Sequence, residues 1–359
     1  MKNALTTRPL APLAGIALAA IALTFSQQAL AASAQNHHGH QIANHAPIGV
    51  MGDHLHKKGE WMLSYRFMSM RMEDNLQGSD SVSPEAIVAP GSGLRVVPVD
   101  MTTDMHMLGA MYAPSDKLTL MLMLNYIDKE MDHITFSGMM GTNQRGVFTT
   151  NTSGIGDTKV SALYGIYSAD QHNIHLNFGL SIPTGSIDET DQILTPMGTT
   201  PSPRLPYPMQ LGSGTYDLEP GVTYTGRNGQ WDWGGQLKAT IRLDDNDEGY
   251  TLGDKVMLTA WNSYRFNDWV AGSLRLSYQN SDDMNGRDSQ INLPVQTAQP
   301  QNFGGEQLDL GVGINLIGAE TQSLGHRVAV EYTTTLKQHA NGTQMEMQNM
   351  LTLGYQYSF

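Results

Sequence analysis

The sequence predicts an all-β fold: a transmembrane, antiparallel, up-and-down β-barrel of about twelve strands with both termini periplasmic. Three observations predict it. A period-two hydropathy pattern recurs along the chain, the connections alternate between short and long, and the last segment ends in an aromatic residue. Composition agrees. Of 359 residues only 15% are charged, against roughly 25% in an ordinary soluble domain. There are 37 Gly, 22 Met and no Cys, and the net charge is −13. After residue 31 no apolar run is long enough for a membrane helix. Acidity without a basic patch argues against a nucleic-acid partner. Without Cys there is neither a disulfide scaffold nor a thiolate metal site.

Residues 1–31 have the layout of a secretory signal peptide. Lys2 and Arg8 make a positive start, Leu10 to Phe25 is apolar, and Ala29 and Ala31 supply the small residues of a cleavage site. The competing reading is an N-terminal membrane anchor, for which the apolar run is short. Cleavage after Ala31 removes two basic residues and brings the net charge to −15. Export followed by a barrel points to the outer membrane of a Gram-negative bacterium. Residues 32–58 then read as a His/Met-rich periplasmic segment, and 59–359 as the barrel.

Twelve segments alternate, near 60–72, 101–113, 118–131, 156–168, 173–184, 214–226, 231–243, 253–266, 269–280, 304–317, 326–337 and 345–359. In 304–316, Leu308, Leu310, Val312, Ile314 and Leu316 share one face, and Gln307, Asp309, Gly311, Gly313 and Asn315 share the other. That is strand geometry. Each segment exceeds the roughly 9–11 residues that cross a bilayer as a tilted strand. Short connections fall at 113–117, 169–172, 227–230 and 267–268, and long ones near 73–100, 132–155, 185–213 and 281–303. Short turns at one end and long loops at the other are the outer-membrane arrangement. An even count puts both termini at the short-turn, periplasmic end. Leu351, Leu353, Tyr355, Tyr357 and Phe359 share a face and finish the chain. This aromatic end resembles the signal read by the barrel-assembly machinery. A soluble sandwich also alternates. In lipid, though, every backbone N–H and C=O needs a partner, and only closure removes the open sheet edges.

Two stretches carry a family resemblance: Ser153-Gly-Ile-Gly-Asp157-Thr-Lys-Val-Ser-Ala-Leu-Tyr164, and Gly212-Ser-Gly-Thr-Tyr-Asp217-Leu-Glu-Pro220-Gly-Val-Thr-Tyr224. They resemble the bacterial outer-membrane barrels of the meta-pathway phenol-degradation family, whose members are labelled transporters. The likeness runs from about Gly59 onward. It implies a porin-like channel and brings no catalytic residues with it.

If apolar faces meet lipid, the opposite faces line the lumen. An Arg or Lys facing lipid at midplane costs roughly 2–4 kcal/mol. Arg66, Lys129, Lys238, Arg242, Arg275 and Arg327 are therefore expected inside, with Asp309 and Glu331 among them. These are candidates to line a solute path, and paired inner charges can also simply brace a wall. A twelve-strand barrel lies between side-chain-filled and open ones, so the expected pore is narrow and partly occluded. Fourteen of the 22 Met lie between Met51 and Met140. Met62, Met68 and Met70 fall on the inner face of the first segment, and Met121 and Met123 on that of the third. On the second segment, Met105, Met107 and Met111 are placed inward. Thioethers bind soft cations such as Cu(I). They also offer an adaptable surface to apolar solutes, and they fill gaps in ordinary cores.

Half of the 12 His, namely His37, His38, His40, His45, His54 and His56, precede the first strand. They are candidate ligands for copper or another transition metal, and they also suit a solvated linker. The spacing matches no structural zinc motif. Acidic loops such as Asp244-Asp-Asn-Asp-Glu248 could hold Ca²⁺, share bridging cations with lipopolysaccharide or stay solvated, and they lack the full EF-hand spacing. Neither a Gly-x-Ser-x-Gly elbow nor a His-Glu-x-x-His motif occurs, so an enzyme is not expected. The expected function is a channel passing small solutes or ions by diffusion. The alternative is a structural or adhesive barrel with an occluded lumen and functional loops.

Overall fold

The computed structural model describes residues 45–318 and 325–359. Twelve strand elements form the wall: β1 (Trp61–Gly78), β2 (Val96–Ser115), β3 (Leu118–Phe136), β4 (Gln144–Ile155), β5 (Thr158–Ser168), β6 (His172–Ile182), β7 (Asp217–Asn228), β8 (Trp231–Arg242), β9 (Lys255–Arg265), β10 (Val270–Ser281), β11 (Gly305–Ile317) and β12 (His326–Ser358). Every pairing among them is antiparallel; each joins neighbours in the sequence except β3 with β5, and β12 returns to β1 to close the ring. At the seam Trp61 and Phe359 exchange backbone hydrogen bonds, both 2.9 Å. This is the predicted up-and-down barrel.

Eleven of these elements form the closed ring, and β4 attaches to the outer half of β3. The ring nevertheless crosses twelve times, because β12 doubles back. Its first part pairs with β11 and its second with β1. The Ser358 N–H donates to the Gly325 carbonyl at 2.9 Å, and the Met347 N–H to Gln338 Oε1 at 2.9 Å, which brings the two parts side by side. The last two predicted segments are thus one continuous run. β4 is the difference from expectation, since 132–155 reads as a loop. It extends β3 past the lipid-facing belt, where polar Thr149, Asn151 and Ser153 replace the apolar row that marks a strand in lipid.

Alternation does what the sequence implies. On β11, Val312, Ile314 and Leu316 are exposed while Gly311, Gly313 and Asn315 are buried. The outward row continues around the wall through Leu63, Leu108, Leu122, Leu258, Leu276, Val330 and Leu353. Such an apolar belt, unfavourable in water, belongs to a bilayer. Aromatic pairs sit at its short-turn edge: Trp61 with Tyr112 at 4.5 Å, Trp231 with Tyr264 at 4.7 Å, and Tyr357 with Phe359 at 5.2 Å between centroids. Their amphipathic rings suit the membrane–water boundary.

Candidate functional site

The inner wall is polar, and strand register pairs its charges. Arg275 on β10 stands opposite Gly311 on β11, which stands opposite Thr333 on β12. Because Gly311 has no side chain, Arg275 reaches past it to Glu331. A Cβ at Gly311 would lie 3.1 Å from Glu331 Cδ. Arg275 donates from Nε (3.0 Å) and one terminal nitrogen (2.6 Å) to Glu331 Oε1, and from the other to Ser277 Oγ (3.0 Å). Arg327 donates to Asn315 Oδ1 and to Gln356 Oε1 (2.7 Å). Glu219 takes both Lys159 and Lys238, the latter at 3.3 Å, and Arg242 pairs with Asp217. Removing Glu331 would leave Arg275 buried without its counter-charge.

Residues 45–56 lie inside this wall, and exposed Lys57 and Lys58 lead from them to β1. Sequence reasoning set them before the barrel as part of a periplasmic segment. The structure threads them through its short-turn half, where Ala46, Ile48 and Val50 are each at most 4% exposed. Arg327 donates to the Ala46 carbonyl, Gln236 Nε2 to the Met51 carbonyl (3.0 Å), and the His56 N–H to Thr119 Oγ1 (3.0 Å). His175 Nε2 lies 2.9 Å from the Gly52 carbonyl. Glycines on both sides permit the fit. A Cβ at Gly49 would stand 2.4 Å from Glu331 Oε1, and one at the wall residue Gly354 would stand 2.5 Å from the Ile48 side chain. Gly52 has φ +64°, a conformation favouring glycine. The segment therefore runs directly over the Arg275–Glu331 pair, with no room for a larger residue.

Within the segment His45, Asp53, His54 and His56 come together. The His45 and His54 rings are 4.4 Å apart, and those of His54 and His56 are 4.7 Å apart. His54 Nδ1 donates to Asp53 Oδ1 at 2.9 Å, and the Ala46 N–H to Asp53 Oδ2 at 2.9 Å. His56 Nδ1 is 3.5 Å from Glu60 Oε2. Burial lowers the pKa of His45 well below the usual imidazole range and that of His56 to about 4. Burial alone would raise Asp53, but His54, His45 and Arg327 together outweigh it and hold the carboxyl below its ordinary value. At neutral pH the His45 and His56 rings are uncharged and keep a lone pair. His37, His38 and His40 lie outside the described residues.

Methionines gather at two depths. Met62 and Met111 pack on Leu163 with Met121 and Leu55 alongside. A cavity between the segment and the wall is lined by Met51, Asp53, Met62, Arg66, Met121 and Met123, among others. Arg66, 7% exposed, points a terminal nitrogen toward the Val50 carbonyl at 3.5 Å. Deeper toward the loops, Met101, Met131, Met209 and Met345 form a buried cluster with Met72. Met68 and Met70 are half-buried between the two levels, and Met68 stands opposite Met105.

The long loops fold inward over the other half. Lys129 donates to the Pro208 carbonyl at 2.7 Å and to that of Gln210, anchoring the 183–216 connection. Tyr207, Tyr250, Ile291 and Val295 from three different loops share an apolar core. Arg204 bridges Asp288 (2.7 Å) and Glu248 (2.8 Å). In the acidic stretch, Asn246 Oδ1 accepts the Glu248 and Tyr250 N–H groups at 3.1 and 3.2 Å, so its side chains shape a turn. Asp309 accepts from Gln307 and Thr335, both at 2.9 Å, away from the Arg275–Glu331 pair.

The structure thus brings together Arg275 with Glu331, Lys238 with its acidic partner Glu219, and His45, His54 and His56 with one another. It leaves Asp309, Lys129 and Arg242 at separate places. Sequence reasoning missed Asp53, Gly49, Met209 and Met345. Asp53 sits directly beside His54, a signal that was available. Met209 and Gly49 lie in irregular chain, where periodicity says nothing.

Comparison with the curated proteins finds no match. Among solved structures, an outer-membrane channel from Pseudomonas putida F1 is 14% identical, covers 86% of this chain and 99% of its own, and superposes with a TM-score of 0.56. The β-domain of a Bordetella autotransporter is 11% identical over 84% of this chain and all of its own, with a TM-score of 0.46. The first likeness carries the fold, which agrees with the closed wall and apolar belt of an outer-membrane barrel. The family described as "Putative MetA-pathway of phenol degradation" matches residues 132–332, more than half of the chain, and the chain belongs to that family.

Proposed function

We propose that this barrel is an outer-membrane channel for small solutes, held closed at rest by residues 45–58 from one end and by the long loops from the other. The observation that carries the reading is how the interior is filled. Wall side chains such as Trp261 and Met62 fill only part of it. Separate segments complete the filling, held by hydrogen bonds and small contacts that can be exchanged for water. Similarity to a solved outer-membrane channel supports the same reading. The path would pass mixed charges, then methionines, and the thioether stretch suits apolar or aromatic solutes and soft metal ions such as copper. With the short-turn end periplasmic, the His-bearing segment enters from the periplasm and the folded loops meet lipopolysaccharide. Phe359, 58% exposed at the seam, is free to serve as the assembly signal.

The filled interior also suits a second reading, a structural barrel whose activity lies in its loops. Liposome swelling separates the two. Vesicles bearing the protein without residues 45–56 are expected to admit small aromatic acids faster than sugars of similar size. Equal, protein-independent rates for all solutes would favour the structural barrel.

A further inference from the structure

We propose that His45, Asp53 and His54, with His56 beside them, form a binding site for a divalent first-row transition-metal ion, and that the ion pins the N-terminal segment inside the barrel. This goes beyond the channel reading and does not depend on it, because metal binding is measured directly. Among the described residues, one donor atom from each of His45, Asp53 and His54 lies within 4.8 Å of the other two. Two donors on a single zinc-like ion stand roughly 3.3 Å apart at ordinary bond lengths and tetrahedral angles, so side-chain rotation closes the set.

A second observation points the same way. His45 Nδ1, His54 Nε2 and His56 Nε2 are buried and have no hydrogen-bond partner. Three polar atoms left bare in one cluster are unusual, since buried polar groups are normally satisfied. The Asp53 carboxylate has no proton to give, so the 2.9 Å bond to His54 Nδ1 is donated by the ring. In the neutral ring Nε2 then carries the lone pair. To join the set, Asp53 gives up this bond, and side-chain rotation brings its oxygen and a His54 nitrogen onto one ion. Glu60 stands 3.5 Å from His56 Nδ1, and a carboxylate on the far nitrogen is how a ligating histidine is commonly oriented.

The donor types choose the ion. Imidazole nitrogens with one carboxylate suit Zn²⁺, Ni²⁺ and Cu²⁺, with copper bound most tightly, and not Ca²⁺ or Mg²⁺, which prefer all-oxygen sites. Arg327 approaches from the wall and bonds the Ala46 carbonyl, and its positive charge opposes the ion; Asp53 offsets it. The ligands come from both ends of the stretch 45–54. Coordination therefore closes this stretch into a loop that includes Gly49, seated against Glu331, and Gly52.

The test is a Cu²⁺ titration of the mature protein in detergent, read by equilibrium dialysis and by paramagnetic resonance for nitrogen couplings. Three proteins are compared: the natural one, one with His37→Ala, His38→Ala and His40→Ala, and one with His45→Gln and His54→Gln. The first two should keep a tight equivalent with nitrogen couplings. The third should lose that equivalent or bind it at least tenfold more weakly. Heat-dependent migration on gels reports whether each barrel is folded. The His37, His38 and His40 substitutions leave the described site untouched. If that protein binds no tight Cu²⁺, the proposal is overturned, whatever happens to the third. Unchanged stoichiometry and affinity in the folded third protein would also overturn it. Either result leaves the channel reading standing, to be judged by solute flux.

Discussion

Glu331 anchors a buried ion pair of the inner wall. Its carboxylate is fully buried, and Arg275, 6% exposed at the side chain, is committed to it through two nitrogens. Glu331→Ala leaves a buried guanidinium without its counter-charge, which costs about 3–5 kcal/mol. Denaturant unfolding of the detergent-solubilised barrel measures this, and a change below about 1 kcal/mol would mean that the pair is solvated. Replacing both partners, with Arg275→Met and Glu331→Leu, should recover much of the loss. Gly49 works at the same scale by different physics. Gly49→Val places a side chain against Glu331 Oε1, where even a Cβ would lie at 2.4 Å. The overpacking costs about 1–3 kcal/mol. The segment can escape that strain by leaving its seat, and the wall cannot, so the barrel should stay folded while amides of the segment lose protection. Of this residue-scale picture, the inward charges were legible because lipid forbids them elsewhere. Their partners were not, because pairing depends on register across strands distant in sequence.

At the scale of elements, the strands were the legible part. Alternation marks them wherever one face meets lipid and the other does not, and that physics holds for every residue between the membrane boundaries. It fades where β1, β2 and β3 run on beyond the apolar belt. Asp104, Asp128 and Glu130 there project from the outer face on which Leu108 and Leu124 lie nearer the short turns. The same loss of contrast hid β4. The segment 45–58 carried no periodic signal, and its histidines read equally as tail and as ligand. Its seat came only with the wall. Hydrogen exchange tests that seat: the amides of Val50 and His56, bonded at 2.9 and 3.0 Å, should exchange far more slowly than a free peptide. Free-peptide rates at both would place the segment outside. Substitution on the opposite surface tests the belt. Leu276→Arg, on an exposed outward position, should cost roughly 2–4 kcal/mol in a lipid bilayer. A negligible cost would mean that this face does not meet hydrocarbon.

For the whole molecule, composition and architecture account for each other. Low charge density follows from a belt that faces lipid, and the long loops carry much of the acidity. Glycine serves turns at several positions and, at Gly311, Gly354 and Gly49, makes room for another element's side chain. The methionines form two buried levels joined by half-buried ones. Closure of the ring was foreseeable from sequence; the filling of its interior was not, since irregular chain packs by tertiary contact alone. The central claim is that residues 45–58 close a conducting barrel. Single-channel recording in planar bilayers tests it most directly, comparing the mature protein with one lacking residues 45–56. The mature protein should be nearly silent, and the shortened one should show discrete openings of reproducible size. Equal silence from both, with the shortened protein folded by its heat-dependent migration, would contradict it.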